Sequence, residues 1–80
     1  MNTKTLATLL DDAYGQGHIY GKVITDSGHE YIFSISKRDF VVTDNDGMLY
    51  LRENETDKHV FIPCAKVEHI TFSEWYFTKL

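Results

Sequence analysis

Apolar residues change their spacing once along this chain, near residue 17, and the change divides it into two parts. In "NTKTLATLLDDAYGQG", Leu6, Leu9, Leu10 and Ala13 fall at i, i+3, i+4 and i+7. That spacing draws one stripe on a helix of 3.6 residues per turn, and it predicts a helix from about Thr3 to Tyr14. Thr3 or Thr5 is placed to cap its start, and Gly15 or Gly17 to end it in a left-handed turn. Asp11 and Asp12 stand near the C-terminal end, where the helix dipole disfavours negative charge. They are expected on the solvated surface.

From His18 onward the period is two. "HIYGKVIT" alternates, with Ile19, Gly21 and Val23 on one side and Tyr20, Lys22 and Ile24 on the other. "HEYIFSIS" sets Tyr31, Phe33 and Ile35 against Ile32 and Ser34, and "MLYLRE" sets Met48, Tyr50 and Arg52 against Leu49 and Leu51. "FVVT", "KHVFI" and "VEHITF" are three further short strands. Turn chemistry separates them: "DSG", "SKRD", "DNDG", "NETD" and "PCAK". The pattern predicts one helix followed by about six short antiparallel strands. The expected core is Leu6, Leu10, Val23, Phe33, Val41, Leu49, Phe61, Ile62, Val67 and Ile70.

A meander of short strands leaves unpaired backbone at its first and last members, and curling until those ends meet removes the problem. A small barrel needs sharp corners. Pro63 cannot donate to a ladder, and its fixed φ suits a turn or a single 3₁₀ turn, so "HVFIPCAKVEHITF" reads as a strand, a corner and a closing strand. A leading helix, a meander, a one-turn corner and a short closing strand resemble the Sm-like branch of the SH3-like barrels. Ile62, Val67 and Ile70 stand where that family places apolar residues, Pro63-Cys64 stands where it has Arg-Gly, and Asp39 in "KRDF" matches its loop acid. The resemblance implies a small antiparallel barrel, mainly β with one N-terminal helix, and RNA binding by a ring of subunits. The expected organisation is a single domain over 1–80: helix 1–16, barrel 18–72 and an aromatic tail 73–80.

Length and composition narrow the functional classes. Eighty residues make one domain, and five Phe, five Tyr and one Trp supply large side chains for a core. The formal net charge of −4 disfavours a partner held mainly through phosphates, RNA included. Cys64 is the only cysteine, which excludes an internal disulfide and suits a reducing, cytoplasmic setting. No apolar run approaches the roughly 18 residues of a membrane span, so no membrane association is expected.

Candidate chemistry is sparse. Asp44, Asp46, Gly47 and Glu53 have calcium-loop spacing, but Val42 then occupies the first ligand position without a side-chain oxygen. Asp-Gly between alternating apolar runs is instead a hairpin turn. Cys64, His18, His29, His59 and His69 lack the paired spacing of a zinc site, and no glycine-rich phosphate loop or nucleophile motif is present. Neither catalytic residues, metal nor cofactor is expected. Three surfaces are candidates for binding. Lys37 and Arg38 beside Phe40 combine charge with an aromatic, as single-strand binders do. Asp44, Asp46, Glu53, Glu55 and Asp57 form an acidic stretch suited to a basic protein surface, as in a phage-type inhibitor of a host protein. Trp75, Tyr76 and Phe77 are consecutive, so one strand face cannot hide all three, and Trp and Tyr commonly anchor interfaces. The leading expectation is a non-catalytic module that binds a protein, or itself as a homo-oligomer, through edge strands and the aromatic tail.

Overall fold

Helix α1 spans Thr3–Gly15 and buries Leu6, Leu10 and Ala13 of the predicted stripe, while its fourth member, Leu9, is half-buried. Its cap is Asn2, one residue before Thr3 and three before Thr5, the candidates the sequence offered. The Asn2 side-chain oxygen accepts from the backbone N–H of Lys4 at 2.8 Å and of Thr5 at 3.3 Å, satisfying two of the helix's free donors. Beyond the helix, Gly17 has φ +81°, a conformation that costs glycine little. In this computed structural model of the chain, residues 1–76 are described.

Six strands follow: β1 (Tyr20–Thr25), β2 (Glu30–Ser34), β3 (Phe40–Thr43), β4 (Met48–Arg52), β5 (His59–Pro63) and β6 (Val67–Ser73). They form two antiparallel three-stranded sheets, ordered β2-β1-β6 and β3-β4-β5. The chain is therefore mainly β with one N-terminal helix. Both central strands alternate. Gly21, Val23 and Thr25 of β1, and Leu49 and Leu51 of β4, point inward. Gly21 is required where it stands: a Cβ there would lie 2.8 Å from the Cζ of Phe33, a fully buried ring.

The two sheets and the helix share one core. Leu6, Leu10, Val23, Phe33, Leu49, Ile62 and Val67 lie in it as the pattern predicts, and Ile35, Phe40, Leu51 and Cys64 join them. Phe33 of β2 meets Phe40 of β3 edge-to-face at 5.9 Å, which ties one sheet to the other through side chains. Ile70 only packs against this cluster, half-buried. Val41 and Phe61 are a correction: they are 57% and 63% exposed and belong to the outer face.

The two sheets are not closed into a barrel. No ladder joins β2 to β3 or β5 to β6. Between β2 and β3 the chain makes a tight turn, in which the Asp39 N–H bonds back to the Ser34 carbonyl at 3.1 Å and Arg38 takes φ +54°. On the other side the predicted corner is present. Cys64–Lys66 is a single 3₁₀ turn between β5 and β6, and the Cys64 N–H is fixed to the Gly47 carbonyl at 2.8 Å.

Candidate functional site

The tail after β6 is held in place by its neighbours. The backbone N–H of Trp75 donates to the Ser73 hydroxyl at 2.9 Å. The Tyr76 hydroxyl donates to the Glu55 carboxylate at 2.9 Å, and its ring stands edge-on to Tyr20 at 5.3 Å. Partial burial, and then the bond to Glu55, push the Tyr76 hydroxyl above its ordinary pKa. Between these two anchors the Trp75 side chain is 81% exposed. Phe77, the third tail aromatic, lies outside the described residues.

A second surface contains Val41 and Phe61, two residues expected in the core. In sheet β3-β4-β5 the register pairs Val41 with Tyr50 and Tyr50 with Phe61, a cross-strand row on the outer face. The Tyr50 and Phe61 rings meet edge-to-face at 5.0 Å. At one end of β4 lies Asp46, whose carboxylate accepts from the Thr43 and Tyr50 hydroxyls and, at 3.3 Å, from the Met48 N–H. These bonds, Thr43's first, hold the Asp46 carboxyl below its ordinary pKa. The same contact with Asp46 raises that of Tyr50. At the other end Arg52 bridges Asp39 at 3.1 Å and Asp57 at 3.3 Å. A shallow groove of about 350 Å³ opens there, lined by residues 38–41 of β3 and its approach, Tyr50, Leu51 and Arg52 of β4, and His59 of β5.

The basic candidates do not form a stacking platform. Lys37 is exposed, but Phe40 is buried, with its ring against Phe33. Arg38 lies over Tyr14 at 4.8 Å and over Phe40 at 5.5 Å, and pairs with Asp11 at 3.2 Å. The guanidinium thus closes over the helix and covers the ring that a base would need.

The acidic candidates are divided between the two ends of β4. Asp44 and Asp46 lie in the β3–β4 turn, and Glu53, Glu55 and Asp57 in the β4–β5 loop. Five strand residues at ~3.3 Å each keep the groups apart. In the loop, Thr56 donates to Glu53, Tyr76 to Glu55, and Arg52 pairs with Asp57. Cys64 is buried. Among the described residues no group of three or more His, Cys, Asp or Glu is placed to hold a metal ion, and no helix is long and apolar enough to cross a membrane.

The outer row had a readable signal in β5. His59, Phe61 and Pro63 share one side, and the polar first member and the proline mark that side as outward. In "FVVT" three of four residues are apolar, so either phase was open. Only burial of Phe40 fixes Val41 outside. Comparison with known proteins finds no counterpart: no family model, curated protein or solved structure matches this chain.

Proposed function

We propose that this protein is a non-catalytic interaction module. It binds a protein partner, or a second copy of itself, through Trp75 and the free edges of its sheets. The observation that carries this reading is Trp75, 81% exposed between two anchored neighbours. An indole left in water has no folding role, whereas interfaces concentrate their binding energy in such residues. The outer edges of β5 and β6 have no strand partner among the described residues, which offers ladders for main-chain pairing.

We further read the fold as a small SH3-like or Sm-like barrel left open at both seams, between β2 and β3 and between β5 and β6. Support comes from the order β6-β1-β2 followed by β3-β4-β5, with a 3₁₀ corner returning the chain from β5 to β6. The Sm-like RNA-binding oligomer is the alternative this topology invites, yet the buried Phe40, the engaged Arg38 and the net charge of −4 weigh against it. An inhibitor using the acidic segment is weakened by the division of those carboxylates between two ends of β4. A reducing, cytoplasmic setting suits the lone buried Cys64.

The deciding measurement is light scattering across a concentration series, with wild type and Trp75→Ala. Burying one such aromatic is worth roughly 1.5–3 kcal/mol, so its loss is expected to weaken association about tenfold or more. Circular dichroism should be unchanged. Unfolding of the variant would place Trp75 in the core and end the reading.

A further inference from the structure

We propose that Asp46-Gly47, in the turn between β3 and β4, is a covalent modification site. Its aspartate converts to isoaspartate through a cyclic imide once the hydrogen bonds from Thr43 and Tyr50 are broken.

Of the five glycines, only Gly47 follows an Asp or Asn. Ring closure needs the Gly47 nitrogen to attack the side-chain carboxyl carbon of Asp46, and a residue without a Cβ leaves that approach open. The reactive form is the protonated carboxyl. A bond forms between the Gly47 nitrogen and Cγ of Asp46, and the carboxyl's hydroxyl leaves as water with the nitrogen's proton. Water then adds to one of the two carbonyls of the five-membered imide. Opening at the side-chain carbonyl restores aspartate. Opening at the main-chain carbonyl leaves isoaspartate, with the chain running through the side-chain carbons. One water is lost and one regained, so composition is unchanged and no other reactant is needed.

The folded turn opposes every part of this step. The Gly47 N–H donates to the Thr43 carbonyl at 3.1 Å, and the Gly47 carbonyl accepts from the Cys64 N–H at 2.8 Å, so the attacking group is pinned on both sides. The Asp46 carboxylate is held by the hydroxyls of Thr43 and Tyr50, the latter at 2.7 Å, and by the Met48 N–H at 3.3 Å. Rotating its carbon onto the Gly47 nitrogen breaks these bonds. The same bonds hold the carboxyl below its ordinary pKa, which makes the reactive acid form scarcer. The turn nevertheless keeps a glycine, because Gly47 takes φ +62°. Isoaspartate lengthens the main chain by one carbon between Thr43 and Gly47. That shift draws the Gly47 carbonyl away from Cys64 and loosens the corner that leads into β6.

The test follows isoaspartate at residue 46 by fragmentation mass spectrometry during incubation at mildly acidic pH. Wild type, Tyr50→Phe and Thr43→Val are compared, each folded and in concentrated urea. Both substitutions keep the side chain's shape and remove one hydroxyl. Each should speed conversion of the folded chain about tenfold, the factor that one hydrogen bond to a charged group is worth. In urea the three chains should convert at one common and faster rate, because no turn remains to restrain them. Circular dichroism checks the fold of the variants. If Thr43→Val is unfolded, Tyr50→Phe carries the test, since it keeps the ring that meets Phe61. The isomerised fraction, separated by reversed-phase chromatography, should melt at a lower temperature than its parent. Folded variants that convert no faster than folded wild type overturn the role of the hydroxyls. Equal rates for wild type with and without urea overturn the protection by the turn, and isoaspartate confined to other residues in urea overturns the site itself.

Discussion

Single residues in this chain are constrained by close approach more than by chemistry. Gly21 faces the tip of Phe33, and Phe33 cannot swing aside because its ring is fully buried between the sheets. Gly21→Ala is therefore expected to cost about 1–3 kcal/mol, by overpacking. In a domain of this size each kcal/mol lowers the melting temperature by about 4–8 °C, and a thermal melt followed by circular dichroism reads it. Asp46 gives a pH-dependent counterpart. Its three hydrogen bonds favour the charged carboxylate and lower its folded pKa below the ordinary 3.8. The stability it adds is thus complete above the unfolded value and is lost as pH falls through the folded one. The difference in melting temperature between wild type and Asp46→Asn should be present at neutral pH and shrink below about pH 4. A difference that persists unchanged at pH 2 would show that the carboxylate's charge is not the cause.

At the scale of elements, α1 is held by its cap and its stripe together. A helix of 13 residues is marginal in water by itself, so packing of Leu6 and Leu10 supplies most of its stability. The cap adds less: Asn2→Ala should cost about 1 kcal/mol by urea denaturation, while Asn2→Asp should cost little, because aspartate accepts the same two N–H bonds. Among the strands, those with mixed composition showed their phase in the sequence. β1 and β4 alternate cleanly, and the structure buries Val23, Leu49 and Leu51 on the expected sides. β2 buries both sides of its C-terminal half. Phe33 enters the core, and the Ile32 carbonyl accepts from the Asn54 N–H of the β4–β5 loop at 2.8 Å, with Glu53 and Glu55 beside the isoleucine.

For the whole molecule the helix matters beyond its own length, because both sheets share the core to which it contributes three residues. Leu10→Ala should cost about 2–5 kcal/mol, a large share of the roughly 5–15 kcal/mol that keeps a small domain folded. The expected result is a loss of near-ultraviolet signal in both sheets' aromatics at one temperature, as a single cooperative transition. Separate transitions would mean that the sheets fold as independent units. The same shared core explains why the outer row can remain uncovered. With 12 of the described residues in one buried cluster, Val41 and Phe61 are not needed inside.

The sequence by itself determined the elements. A stripe at i, i+3, i+4 and i+7, alternation with period two, the Asp46-Gly47 turn and Pro63 at the corner all act through neighbours a few residues apart. Such signals survive without knowledge of the rest of the chain. The tail was legible only as a question, since three adjacent aromatics exclude one shared face without saying which one is left out. Tertiary structure decided the remainder: that β2 stops at the Ser34–Asp39 turn and leaves two open sheets, that "FVVT" turns Phe40 inward and Val41 outward, and that Arg38 closes over Tyr14 and Phe40. It also set Arg52 and His59 around a groove and left Trp75 in solvent. Each of these depends on residues distant in sequence competing for one small core, and local spacing carries no record of which of them wins.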